Sequence, residues 1–402
     1  MTTPGPVSLR AGATSLQVAG LFAGIGGLER GLHQAGHHTE LLCEIDPGAQ
    51  AVLAQRFPGI PLVGDIRSLD NLPPVDLVAA GFPCQDLSQA GRTAGISGRQ
   101  SGLVGEVFRL VRDPGASPKW LLLENVPFML QLDRGEAMSH LVRMLEGLGF
   151  AWAYRVVDAL AFGRPQRRRR VLLLASRTED PRSVLLTQDA GAPRAPQPAA
   201  RHAACGFYWT EGLRGLGWAF DAVPTLKGGS TIGIPSPPAI WVPEDEAIVT
   251  PDIRDAERLQ GFPADWTIGA VDVPGVRPGH RWKLTGNAVS VPVARWVGRC
   301  LAAPSPYDGS CDEPLRTRTA WPTAAWGRPG EPSRQANLSM WPVRSRRQHL
   351  LDFLRHPTSP LSARATGGFL SRAQTGSLRM HPDFLADVAT HLERMSSRAA
   401  VA

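Results

Sequence analysis

The sequence predicts an α/β fold: a mostly parallel sheet covered by helices on both faces, with a smaller irregular domain inserted late in the chain. Three observations predict it. Through the first 177 residues, short apolar runs of strand length alternate with stretches of helical spacing. The first run, "LQVAGLF", empties into the glycine turn "AGIGG", which opens a helix. From about residue 178 to 250 the alternation stops and Gly, Pro and Trp take over, and then helical spacing returns.

Taken in order, "LQVAGLF" is the first strand and "AGIGGLERGLHQAG" the turn and helix after it. "TELLCEID" is a second strand, "PGAQAVLAQRFP" a helix opened by proline, and "PLVGDI" a short third strand. "VDLVAAGF" and "KWLLLENV" are the fourth and fifth strands; between them Leu103, Val107, Leu110 and Val111 recur at helical spacing. "GEAMSHLVRMLEGLGF" reads as an amphipathic helix, followed by strands at "YRVVDAL" and "RVLLLAS". Later helices are expected at "DIRDAERLQGFP" and at "GNAVSVPVARWVGRCL", the second starting near Asn287. Residues 16–177 and 251–304 are therefore expected to form one α/β domain, 178–250 an inserted small domain and 305–402 a basic C-terminal extension. That extension carries thirteen arginines against eight acidic residues, and "RRQHLLDFLRH" and "HPDFLADVATHLERM" have helix-like spacing. It is expected to contact phosphates or to brace the other domains.

Composition narrows the class. With 402 residues, 43% of them hydrophobic, the chain buries a substantial core. Five cysteines, at 43, 84, 205, 300 and 311, form no C-x2-C pair, which argues against a zinc ribbon or a disulfide scaffold and for a reducing cytoplasm. No apolar run approaches a membrane span, no export signal opens the chain, and no metal site is expected. The net charge of +7 comes almost wholly from arginine; the only lysines are Lys119, Lys227 and Lys283. Guanidinium groups suit phosphates and base edges, but net charge alone names no partner.

Chemistry gathers at the strand ends. Gly24, Gly26 and Gly27 shape a turn that a nucleotide-type cofactor could approach, and Glu44 stands where it could accept ribose hydroxyls. That spacing fits a nicotinamide dinucleotide as well as S-adenosylmethionine. The P-loop ending is absent, and the second half offers no hydride-transfer set. Asp65 ends the third strand and could meet a ring amine. In "GFPCQDLS", Pro83 fixes the backbone before Cys84, and Gln85 and Ser88 surround the thiol with polar groups, unlike a core cysteine. Glu124 closes the apolar run "WLLL", well placed to face Cys84 across the sheet edge. In "QRRRR", residues 166–170, alternate side chains share a direction, so Arg168 and Arg170 can point together toward a ligand.

Together these residues resemble the DNA (cytosine-5)-methyltransferases of bacterial type, in that family's order: "FAGIGG", "EID" at 44–46, "DI" at 65–66, "GFPCQ" at 81–85, "ENV" at 124–126, "QRRRR", "RLQGFP" at 258–263 and "GNAV" at 286–289. The resemblance implies a Rossmann-like S-adenosylmethionine-dependent methyltransferase domain, completed near residue 287, with an inserted target-recognition domain. It implies that Cys84 attacks cytosine C6, that Glu124 engages N3 and the exocyclic amine, and that Arg170 meets O2 with Arg168 in support. Phe22, Glu44, Asp65, Ile66, Pro83, Leu103 and Asn287 match cofactor-contacting positions, beside the glycines of the turn. Gln85 and Ser88 match positions on DNA, and Arg214, Thr225 and Lys227 are candidate DNA contacts in the inserted region.

The implied partner is double-stranded DNA, acted on by a cytoplasmic enzyme expected to be monomeric and to serve beside a restriction or other antiviral defence protein; a solitary methylase is the alternative. Relatives acting on transfer RNA usually carry a Cys-Phe-Thr run that is absent here. One departure stands out: in "TPDIRDAERLQGFP", Asp255 replaces the family's usual Glu, which leaves the docking of that helix open.

Overall fold

The computed structural model describes residues 14–82, 102–112, 118–193, 203–228, 235–316 and 320–401. The chain folds into two compact units, each assembled from separate stretches of sequence.

The first unit comprises the chain through Ala161, then Arg169–Ala192 and Ala288–Arg344. Its sheet begins with β1 (Gln17–Leu21), β2 (His38–Cys43), β3 (Leu62–Val63), β4 (Leu77–Ala80) and β5 (Trp120–Asn125), in the spatial order β3-β2-β1-β4-β5 and all parallel. Every residue of β4 and β5 is buried, so these strands read as unbroken apolar runs rather than alternating ones. β6 (Ala151–Asp158) follows; β7 (Gln166–Arg167) belongs to the second unit, and β8 (Arg169–Ser176) returns to the first. β8 lies between β5 and β6 and runs antiparallel to both. Three strands from the C-terminal extension, led by Ala324–Gly327 against β6, complete a mixed ten-stranded sheet.

The parallel register decides what meets at one edge. Leu21 pairs with both Cys43 and Ala80, and Ala80 pairs with Leu123. The segments leaving β1, β2, β4 and β5 therefore emerge together at the carboxyl edge, where open α/β sheets bind ligands. The chain's return to this unit is held by close helix packing. A Cβ on Gly27 would lie 2.4 Å from the Val289 carbonyl oxygen, and one on Gly31 would lie 2.4 Å from Ala294 Cβ and 2.7 Å from the Val291 carbonyl. Glycine four residues apart on helix α1 (Gly27–His33) lets the helix Val291–Ala302 approach to backbone contact.

The second unit comprises Phe162–Arg168, Pro193–Asn287 and Ser345–Ala402. Its five-stranded antiparallel sheet takes four strands from residues 205–250 and one, Ser359–Pro360, from the C-terminal extension. Phe207 packs against Phe369 and Phe384 of the last two helices, with ring centroids 5.0 Å apart in each pair.

These units do not divide where the sequence suggested. Helix Ile253–Gln260 was expected in the α/β domain, yet its buried Ala256 and Leu259 join Val223, Leu226, Leu350 and Phe353 in the second unit, and the chain re-enters the first unit only at Ala288. Nor is 305–402 a separate appendage: its first part extends the large sheet and its second part supplies the core of the smaller one. Asn287 ends the helix His280–Asn287 instead of starting the next. Asp255, the shorter carboxylate, is fully buried and accepts from the backbone amides of Arg355 and His356, so it anchors the extension within this unit.

Candidate active site

At the carboxyl edge, the turn after β1 is built from left-handed backbone. Phe22 has φ 53°, Gly24 φ 56° and Gly26 φ 81°. A Cβ at Gly24 would meet nothing within 4 Å, so open space lies before the turn, whereas at Gly26 it would sit 2.3 Å from the Phe57 ring. Glu44, just past β2, fixes the turn: its Oε2 accepts the Gly24 amide at 2.7 Å and its Oε1 the Asp46 amide at 2.8 Å. Asp46 in turn caps the helix Pro47–Arg56, accepting from the amides of Gly48 and Ala49. Between the two carboxylates Ile45 is 64% exposed, an apolar side chain held at the mouth of the turn. Sequence reasoning passed over Ile45, because apolar composition does not reveal exposure.

The other expected cofactor residues differ in what they offer. Asp65 caps a short 3-10 turn and holds Arg67 at 2.6 Å, and the guanidinium keeps its carboxyl below the usual range. Its carboxylate is thus already engaged. Ile66 is buried in the core, its carbonyl accepting from Arg109 and from the Leu69 amide, and Leu103 packs partly against that core. Asn287 is exposed and lies in the second unit.

β5 delivers Glu124. It pairs with Leu172 of β8, so Arg170, two residues before Leu172, stands on the same face as its diagonal neighbour. Arg170 Nε lies 2.8 Å from Glu124 Oε1. The contact is an ion pair without the geometry of a directed hydrogen bond, which leaves Oε1 able to accept one. A Cβ on Gly81, just past β4, would stand 3.5 Å from Glu124 Oε2 and 4.0 Å from the Phe22 carbonyl, so Gly81 bridges the carboxylate and the glycine turn. Asn125 Nδ2 donates to the Phe82 carbonyl at 3.1 Å and fixes the chain where it leaves β4. Pro83, Cys84, Gln85 and Ser88 follow directly and lie outside the described residues. The described Cys43, Cys205 and Cys300 are buried, and burial pushes their thiols up to about 11, 11 and 12. These are packing cysteines, not nucleophiles.

Arg168 and Arg170 fall in different units. Arg168 is 1% exposed and donates to the Leu226 carbonyl within the second unit, beneath the pairing of β7 with Val223–Pro224. The loop at 224–228 is braced throughout: Thr225 Oγ1 donates to the Arg167 carbonyl, Tyr208 Oη donates to the Thr225 carbonyl, and Lys227 pairs with Glu211 over the Tyr208 ring. Arg214 is exposed.

The model for C-5 cytosine-specific DNA methylases matches residues 16–204. The Type II methyltransferase M2.BsuMI of Bacillus subtilis (strain 168) is 51% identical over 364 residues, covering 89% of this chain and 93% of that protein. The chain belongs to the C-5 cytosine-specific DNA methylase family. This DNA (cytosine-5-)-methyltransferase is also similar to M.DsaV of Dactylococcopsis salina, at 28% identity over 71% of this chain and 85% of that one. Among solved structures, the methyltransferase shares its fold with the Dnmt2 methyltransferase of S. pombe, at TM-score 0.51 and 15% identity over 71% of this chain and 98% of that one. The Spodoptera frugiperda DNMT2 mutant gives TM-score 0.50 and 14% identity over 71% and 99% of the two chains. The family and the fold imply S-adenosylmethionine as cofactor, and the open turn before Gly24, with Glu44 and exposed Ile45 at its mouth, fits such a molecule. No helix is long and apolar enough to cross a membrane, and the described residues hold no metal-ligating cluster.

Proposed function

We propose that this enzyme methylates C5 of a cytosine in a specific duplex sequence through a covalent bond from Cys84 to C6, with the base turned out of the helix. The observation that supports it best is the buried Glu124–Arg170 pair, joined through Gly81 to the cofactor turn at the edge where the chain runs on to Cys84.

The chemistry requires such an arrangement. C5 of cytosine is a weak nucleophile. Addition of the Cys84 thiolate to C6 builds electron density at C5, while Glu124 holds N3 and the exocyclic amine and Arg170 offsets charge at O2. S-adenosylmethionine supplies the electrophilic methyl group. Phe22, Glu44 and Ile45 would hold it, with Ile66 and the Leu103 side chain beside it. A base then removes the C5 proton as Cys84 departs. C6 is inaccessible in a stacked duplex, so the nucleotide must leave the helix, at a cost of about a few kcal/mol.

The second unit carries target recognition in this reading, with Arg214 and the backbone of the braced loop at 224–228 as candidate contacts. Gln85 and Ser88 are assigned to DNA by their place beside Cys84. Because its relatives include Type II methyltransferases, the enzyme is assigned to the protective half of a restriction-modification pair in the cytoplasm. Duplex DNA bearing 5-fluorocytosine should trap an adduct in the presence of S-adenosylmethionine, and Cys84→Ala should abolish it. Undiminished methylation by Cys84→Ala defeats the mechanism. Bisulfite sequencing of DNA from a methylation-free host expressing the enzyme gives the target motif.

A further inference from the structure

Four residues after Glu124, the chain displays an aromatic ring that the mechanism above does not use. Phe128 sits on the 3-10 turn Pro127–Leu130 and is 54% exposed, while its neighbours Met129 and Leu130 are sunk in the core of the first unit. An isolated exposed phenylalanine needs no explanation by itself. Its mounting sets this one apart.

The turn is fixed at both ends. At its start, the Asn125 side chain accepts the Val126 amide at 2.8 Å while donating to the Phe82 carbonyl. At its end, the Trp321 amide donates to the Leu130 carbonyl at 2.9 Å, and the Trp321 indole donates to the Gly135 carbonyl at 3.1 Å. Between these points Asp133 and Arg134 both hold left-handed backbone, φ 50° and 58°. Non-glycine residues there cost of order 1–3 kcal/mol each and persist where their surroundings over-determine them, often at functional sites. The turn also packs against β8, the strand that carries Arg170. Phe128 is therefore carried on a braced turn, four residues past Glu124 and packed against the strand that bears Arg170.

We propose that Phe128 is a DNA-contacting residue, whose ring stacks on a base flanking the target cytosine and holds the strand while that cytosine occupies the site. The occupant follows from continuity with the site: Phe128 lies just past the strand that delivers Glu124, on a turn in contact with β8, and every base offers an aromatic face. The proposal rests on the reading that duplex DNA enters at the carboxyl edge.

The test uses full-length Phe128→Ala, Phe128→Leu and Phe128→Trp with duplexes carrying the motif mapped by bisulfite sequencing. Loss of one base–aromatic stack should lower DNA affinity and kcat/KM for DNA roughly 5- to 150-fold in the Ala and Leu variants, with Trp close to the parent. Replacing the guanine opposite the target by an abasic site cheapens extrusion and should restore part of the Ala variant's loss. S-adenosylhomocysteine affinity and melting temperature should not move. Unchanged DNA affinity in Phe128→Ala overturns the proposal, as does a matching fall in S-adenosylhomocysteine affinity or melting temperature, which would make the ring a packing residue. If the parent enzyme forms no 5-fluorocytosine adduct, the mechanism fails separately; the affinity comparison still decides the role of Phe128.

Discussion

Arg170 Nε and Glu124 Oε1 stand 2.8 Å apart with both side chains about nine-tenths withdrawn from water. Removing one partner of such a pair strands the other charge, at a cost of about 3–5 kcal/mol. Glu124→Gln keeps the shape and loses the acid, so kcat for methyl transfer should fall by roughly 10²–10⁴. Arg170→Ala should lower both kcat and melting temperature, because it leaves the carboxylate alone. Radiolabel transfer to DNA and thermal melts read these effects; a Glu124→Gln enzyme with half the parental kcat would contradict the assigned role.

Gly31→Ala should destabilise the protein by about 1–3 kcal/mol, because the new methyl meets the backbone of Val291 and Arg295 at 2.7 and 2.6 Å. The usual helical preference for alanine, about 1 kcal/mol, acts in the opposite direction and is overcome. Gly147→Ala is the matched control. Nothing lies within 4 Å of its Cβ, and it should be neutral or slightly stabilising in urea titrations.

Glu29 gives the first unit a pH-dependent stability. Its carboxyl is fully buried against Gly20, and burial raises its pKa from 4.5 to about 8. The folded state holds a proton that the unfolded chain releases. Glu29's contribution is therefore complete below about pH 4.5 and lost as the pH rises toward 8. Glu29→Gln should flatten that slope, by an amount on the order of a few kcal/mol across the window. Urea unfolding of both proteins at pH 5, 6, 7 and 8 measures it, and parallel curves would refute the assignment.

Glu44→Gln should weaken S-adenosylhomocysteine binding roughly tenfold to a hundredfold. Both carboxylate oxygens accept backbone amides, so an amide side chain must turn its own N–H groups toward the amide of Gly24 or of Asp46. Titration calorimetry reads the loss. An unchanged affinity would show that the turn tolerates the mismatch.

Truncation separates the two halves of the C-terminal extension. Ending the chain after residue 304 uncovers β6, leaves Arg155 without the Ser339 carbonyl, and should drive the protein into the insoluble fraction. Ending it after Arg344 keeps that sheet and instead strips Phe369 and Phe384 from Phe207. This second truncation should lose DNA binding while still binding S-adenosylhomocysteine. Identical behaviour of the two would count against the division.

The first half of the fold was legible because a parallel sheet buried on both faces leaves unbroken apolar runs, as "LVAA" and "WLLL" do, punctuated by "AGIGG". The Glu124–Arg170 pair was legible as two charges at strand ends. The extension was not: "AAWG" has no period and forms a strand because β6 offers an edge, and Arg334–Gln335, two residues long, forms one only against that added strand. "RRQHLLDFLRH" yields just the turn Leu350–Phe353, since its two buried residues are drawn into the second unit's core. Glu29 looked like an ordinary polar position on a helix. Its burial follows from the absence of a side chain at Gly20, nine residues away in sequence.

The boundary between the compact units falls inside "QRRRR", between Arg168 and Arg169. On the proposed reading, in which the second unit carries target recognition, specificity therefore cannot be transplanted as one cassette. A graft of residues 178–250 alone would arrive without the β7 strand that pairs with Val223–Pro224 and without the aromatic residues that cover Phe207. A working chimera must carry three separate pieces, 162–168, 193–287 and 345–402, from the same donor. New target sequences would then arise more readily by point changes in an existing recognition unit than by recombination between distant relatives.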